Sequence, residues 1–147
     1  MKATRGHIPW SNIDRRLRAM REIWIATASP KGRPDAVPVW FWWDGEAAYF
    51  TCEAGTIKPR NIAHEPNVVL HNADGADPII LKGRAEPVTE RAELDRVEAA
   101  YREKYVDPHS GTPMTLTDED AVYRVTPRLV SAWSYAVAAT RTDWSPE

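Results

Sequence analysis

The sequence predicts a mainly β domain of the α+β class, an antiparallel barrel with helices packed against it. Three observations lead there. About seven short runs have strand character and are bounded by turn residues, most connections between them are of hairpin length, and only two or three helical segments accompany them. With 147 residues the chain is long enough for one core and too short for two, so residues 1–147 read as a single domain. A hydrophobic fraction of 43% with 27% charged residues is ordinary globular composition and argues against disordered and fibrous classes.

Residues 11–21 come first as an amphipathic helix, with Ser11 as its cap and Ile13, Leu17 and Met20 at helical spacing. Its other face carries Arg15, Arg16 and Arg18 and reads as a solvated surface. Residues 23–28 are dense in bulky side chains and form a strand. The proline and glycine cluster at 29–34 is a turn, and residues 36–43 are a second strand that stops at Asp44-Gly45, a strong hairpin signal. Residues 47–52 return as the third. Pro38 removes a ladder donor inside the second strand. That puts the position on an edge, at a bulge, or where the backbone faces something other than a strand, such as a ligand.

A helix then opens at Thr56, a candidate N-cap, with Pro59 in its first turn. Its charges run against the helix dipole: Lys58 and Arg60 stand at the N-terminal end and Glu65 at the C-terminal end, where the reverse is favoured by about 0.3 to 1 kcal/mol per charge. Cations beside free N–H groups make sense if an anion docks there, so residues 51–62 read as a phosphate site, with surface salt bridging as the competing account. Residues 67–72 and 78–85 follow as two strands joined by a polar loop. A longer helix runs from a Thr89 cap to about Tyr105, with Leu94, Val97, Tyr101 and Tyr105 on one face. Here Glu90 and Glu93 come first and Arg102 and Lys104 last, as the dipole prefers. Residues 106–117 form a long surface loop, 120–126 and 129–135 are two strands divided by Pro127, and a tail from residue 139 holds Arg141 and Trp144.

A net charge of −2 argues against general nucleic-acid binding, which needs a broad basic surface, so any basic site is local. Cys52 is the only cysteine, no cysteine and histidine cluster has metal-ligand spacing, and no apolar run approaches the ~20 residues that span a bilayer. The expectation is a cytoplasmic protein with no metal and no membrane partner.

The order and spacing of Ala26-Thr27, Gly32-Arg33-Pro34, Val37-Pro38-Val39-Trp40-Phe41, Tyr49-Phe50-Thr51, Lys58-Pro59-Arg60-Asn61-Ile62 and Pro66-Asn67-Val68 resemble the pyridoxamine 5'-phosphate oxidase-like family. The resemblance covers residues 23–86, with a weaker continuation through residues 123–128 and Ala132-Trp133. It implies a six-stranded antiparallel split β-barrel of the FMN-binding type, a homodimer, and a cofactor at the subunit interface. That cofactor is FMN or, alternatively, the deazaflavin coenzyme F420, and some members hold tetrapyrrole-like or haem ligands. Carried over, the resemblance puts the cofactor phosphate on Lys58, Arg60 and Asn61 with Thr51 and Thr56 nearby. It runs the backbone of Val37, Pro38, Val39 and Trp40 along the ring and brings Trp133 and Arg141 from the second subunit. The extended C-terminal signature that holds vitamin B6 substrates is missing, so the implied activity is hydride transfer to or from another small organic molecule. The alternative is a carrier or sensor that binds the cofactor without turnover.

The remaining candidates have structural readings. Seven tryptophans exceed what one small core needs, and among Trp40, Trp42 and Trp43 at least one points into the barrel and another outward. His71 reads as a satisfied strand histidine, His64 as solvent-facing, and Cys52 as a buried thiol without a base to activate it. No catalytic residue is assigned, because a flavin-type ring carries its own hydride chemistry.

Overall fold

The computed structural model describes residues 1–136 and 141–147; positions 139 and 140 of the expected tail lie outside them. The elements are β1 (Lys2–Arg5), α1 (Trp10–Ala19), β2 (Glu22–Ala28), β3 (Pro34–Trp43), β4 (Ala48–Glu53), α2 (Ile57–His64), β5 (Asn67–His71), β6 (Ile79–Pro87), α3 (Arg91–Lys104), β7 (Asp120–Ala132) and β8 (Thr142–Ser145). All strand pairs are antiparallel, in the order β1-β8-β7-β4-β3-β2-β5-β6, and β6 pairs back onto β7. Strands β2 to β7 therefore close a six-stranded barrel, and β1 and β8 extend it from one flank of β7.

Period-two alternation fills the barrel. Ile23, Ile25 and Thr27 of β2, Val39, Phe41 and Trp43 of β3, and Leu70 and Leu81 point inward. Helix α1 stoppers one end with Ile13 and Leu17, each contributing roughly 1.5 to 3 kcal/mol by burial. The Asp14 carboxylate accepts the Trp43 indole N–H at 2.8 Å, and Trp10 packs edge-on against Trp43 and Trp144. A second cluster lies outside the barrel wall, where Val97 and Tyr101 of α3 and Tyr105 at its C-cap cover Ala47, Tyr49 and Val122.

Several sequence expectations are corrected. Ser11 lies inside α1, which opens one residue earlier after Pro9, and α3 opens after Glu90 rather than Thr89; neither cap position makes a side-chain capping bond. Pro127 does not divide two strands. It sits at a bulge where Lys82 faces Leu129 and Gly83 faces Pro127, leaving Arg128 as the extra residue, and a bulge tolerates a missing donor. Gly83 is required opposite, because any side chain there would run into the Thr126 carbonyl. Strands β1 and β8 were not anticipated, since β1 is exposed throughout and shows no alternation.

Candidate functional site

The site begins with a change of partner in β3. Residues 34–40 pair only with β2, from Ala28 opposite Pro34 to Glu22 opposite Trp40. From Phe41 onward the strand pairs with β4, through Phe41–Phe50, Trp42–Tyr49 and Trp43–Ala48. The barrel wall is thus split, with residues 34–40 of β3 and 51–53 of β4 facing no strand across the gap. Pro38 lies on this open edge, one of the three settings expected for it. Val37, Pro38, Val39 and Trp40 border the gap together; Val39 faces the core, while Trp40 is 41% exposed.

Helix α2 follows β4 and crosses the barrel end, turning Asn61 and Ile62 inward. Asn61 is fully buried and its amide N–H donates to the Thr27 hydroxyl at 2.9 Å. Its Oδ1 has no partner, and a buried orphan of this kind calls for a donor. The same residue lines a cleft of about 440 Å³ between α2 and the β2–β3 turn, together with Lys31, Arg33, Ile57 and Arg60. Three cations and one carboxylate, Asp35, give the cleft a positive balance.

Thr56 stands at the N-cap of α2 but its hydroxyl turns back to the Glu53 carbonyl at 2.8 Å, so the first N–H groups of the helix receive no side-chain cap. Lys58 acts on Cys52, whose thiol is pushed up by burial in spite of that charge. Arg60 instead lines the cleft. Residues two apart on a helix point to nearly opposite sides, so the two cations flank the helix start rather than converge within it. Glu65, the apparent anomaly at the other end, accepts from the Asn67 backbone N–H at 2.8 Å and its side-chain amide at 2.7 Å, bonds that hold its carboxyl below the ordinary value. It fastens the start of β5.

Thr51, at the β4 side of the gap, lies beside Tyr101, whose hydroxyl donates to the Trp40 carbonyl at 2.9 Å. Trp133 is not part of this group within one chain. It lies past β7, its N–H bonded to the Pro78 carbonyl, with Tyr135 against its edge and Arg141 5.5 Å from its ring. At least one of the β3 tryptophans points inward and another outward, as expected: Trp43 is inside, Trp42 packs on Tyr49, and Trp40 is exposed. His71 stacks on Trp24 and bonds the Asn72 carbonyl. Sequence reading gives Lys104 only to the helix dipole, whereas its ammonium lies 2.7 Å from the Phe41 carbonyl and Arg21 lies beside the Trp40 and Tyr105 rings. The available signal was that Ala100 and Tyr101, four and three residues before Lys104, are not acidic, so no helical ion pair accounts for the lysine. Among the described residues no group of metal-binding side chains occurs, and no helix is long and apolar enough to cross a membrane.

A family model described as pyridoxamine 5'-phosphate oxidase matches residues 11–134. No curated protein matches the chain in sequence. Among solved structures, a conserved hypothetical protein from Mycobacterium tuberculosis is similar at 23% identity and a TM-score of 0.74, over 91% of this chain and 89% of that one. A heme binding protein from Mycobacterium smegmatis shares 19% identity and a TM-score of 0.72, over 95% of this chain but 59% of its own. An F420 reductase shares 26% identity and a TM-score of 0.62, over 78% and 92%.

Proposed function

The chain belongs to the pyridoxamine 5'-phosphate oxidase family, and from that premise we propose that it is an oxidoreductase using a phosphate-bearing flavin-type cofactor, FMN or F420, with a small organic substrate. The observation that carries the reading is the orphaned Asn61 amide oxygen, buried at the base of a three-cation cleft beside an unpaired strand edge. Arg60 and the uncapped N–H groups of α2 would hold the phosphate, with Lys58 on the other flank. Asn61 would accept a bond from a hydroxyl of the linker between phosphate and ring. The open backbone of residues 37–40 offers hydrogen-bonding groups to the polar rim of a flat heterocycle, and Pro38 leaves a donor-free stretch against its apolar part. When bound, such a ring accepts or donates hydride; the protein orients it and keeps water away.

Lys31 and Arg33 add two cations to the same cleft as Arg60, more positive charge than one phosphate needs. They favour F420, whose anionic tail continues beyond its phosphate, and the likeness to an F420 reductase points the same way. Trp133 and Arg141 would complete the pocket from a second copy in a homodimer.

Parallel titration of cofactor-free protein with FMN and F420, followed by absorbance and fluorescence, tests the reading. Arg60→Ala and Lys58→Ala should each weaken the bound cofactor by roughly 1.5 to 3 kcal/mol. No spectral change with either compound sinks the proposal. Reoxidation of the reduced cofactor by a panel of acceptors separates turnover from carriage, and a reduced cofactor that no acceptor reoxidises makes the protein a carrier or sensor.

A further inference from the structure

Three side chains from the end of α3 converge on the place where β3 changes partner, and each ends on backbone. Tyr105, at the C-cap, takes the Phe41 N–H and reaches the Arg21 carbonyl just ahead of β2 at 2.7 Å, while the Lys104 ammonium donates to the Phe41 carbonyl at 2.7 Å. Both serve the β2 side of the junction. Backbone groups of successive strand residues point to opposite sides, so Trp40 and Trp42 turn theirs toward β4. That side is served by Tyr101. Fully buried, with its ring centroid 5.1 Å from that of Tyr105, Tyr101 donates its hydroxyl to the Trp40 carbonyl of β3 at 2.9 Å and brings it within 3.3 Å of the Tyr49 carbonyl of β4. Thr51, the first β4 residue past the last β3–β4 pair, lies beside the same hydroxyl.

The pairing of β3 with β4 ends at this point, at Phe41–Phe50, although both strands run on. Counted onward, Trp40 would meet Thr51 and Pro38 would meet Glu53, so the missing proline donor lies beyond the place where pairing stops. We propose that Tyr101 is a positioning residue for the cofactor: by tying the Trp40 carbonyl at the fork of the two strands, its hydroxyl sets where the barrel gap ends and fixes residues 37–40 opposite Thr51. A backbone edge serves a rigid flat ring only if its groups stay within about 0.5 Å of the productive geometry, and a side chain from a packed helix supplies that constraint. The inference rests on the cofactor reading for what occupies the gap. The pin on the fork does not depend on it.

Tyr101→Phe tests this on the full chain, because it keeps the buried ring and removes only the hydroxyl. The control is Tyr49→Phe, which removes a hydroxyl bonded to Glu93 at 3.0 Å, a bond that ties β4 to α3 away from the fork. Titration with FMN and F420 should show affinity for the cofactor that wild type binds falling about tenfold in Tyr101→Phe and unchanged in Tyr49→Phe. Hydrogen exchange of the Trp42 amide, which faces Tyr49 just inside the fork, should quicken in Tyr101→Phe beyond what its change in global stability explains, and not in Tyr49→Phe. Unchanged affinity in Tyr101→Phe, or an equal loss in both variants, overturns the positioning role. Unchanged Trp42 exchange overturns the pin. Wild type that binds neither compound sinks the cofactor reading and the positioning role with it, whereas the exchange result still stands or falls by itself, so the two failures give separate signals.

Discussion

The hydroxyl of Tyr105 grips the backbone of Phe41 from both sides, accepting its N–H at 2.9 Å and lying 2.7 Å from its carbonyl, within reach to donate. Phe41 is the residue at which β3 exchanges β2 for β4 as its partner. A strand that changes partner leaves polar backbone groups without a ladder, and a helix side chain satisfies them here. Tyr105→Phe should therefore lower stability by about 1 to 3 kcal/mol, the cost of an unsatisfied buried group, in urea denaturation. A loss under about 0.5 kcal/mol would show that the split is held by other means.

Gly83 and Gly55 form a matched pair of tests. Gly83→Ala should destabilise by about 1 to 3 kcal/mol, because the new methyl group meets the Thr126 backbone across the bulge. Gly55→Ala meets nothing nearby and should stay within about 0.5 kcal/mol. Similar melting temperatures for both variants would contradict the tight approach of β6 and β7.

Lys104 should leave a mark on the pH dependence of stability. Its amine titrates near 8 in the folded protein against 10.5 when free, so between those values the unfolded chain binds more protons and stability rises with pH. Below about 8 the strained charge is present in full. Tyr49 and Tyr105, pushed up to about 12 by burial first, oppose the trend only above the ordinary tyrosine value of 10. The stability of wild type relative to Lys104→Met should thus climb between pH 8 and pH 10. A flat difference across that window would refute the assignment.

Asn61→Leu separates structure from ligand. The substitution removes one hydrogen bond to Thr27 but also an orphaned acceptor, so the cofactor-free protein should lose less than about 1 kcal/mol. Cofactor affinity should fall about tenfold or more, as expected for a lost hydrogen bond to a buried group. Thermal melting with and without cofactor reads both quantities, and a large loss without cofactor would make Asn61 a structural residue.

Much of this architecture is legible in the sequence because the signals are local. Asp44-Gly45 marks its hairpin, the bulky run from residue 23 to residue 28 marks a barrel strand, and the reversed charges of Lys58 and Arg60 mark an unusual helix start. What escapes is decided by residues distant in sequence. Pro127 reads as a break until Gly83 is seen to make room for a bulge. Thr142–Ser145 offers no pattern of its own and becomes a strand by pairing with Val130, Ser131 and Ala132. At the site, Asn61 stands out in sequence beside Lys58 and Arg60, but its hydrogen-bond partner Thr27 lies 34 positions away. Lys58 and Arg60 read as one cationic pair, whereas helical geometry sends them to different flanks.

Pro38 has a further consequence, for the behaviour of the protein in concentrated solution. An exposed strand edge is a template on which another chain can add a strand, the first step toward domain swapping and fibril growth. The split in the barrel creates such an edge along residues 34–40, and prolines at 34 and 38 interrupt its row of donors. A foreign strand finds no continuous ladder there, while a small flat molecule needs none. The gap therefore discriminates by shape between polymer and ligand, and Pro38→Val, which restores a donor, should shift the protein toward aggregation.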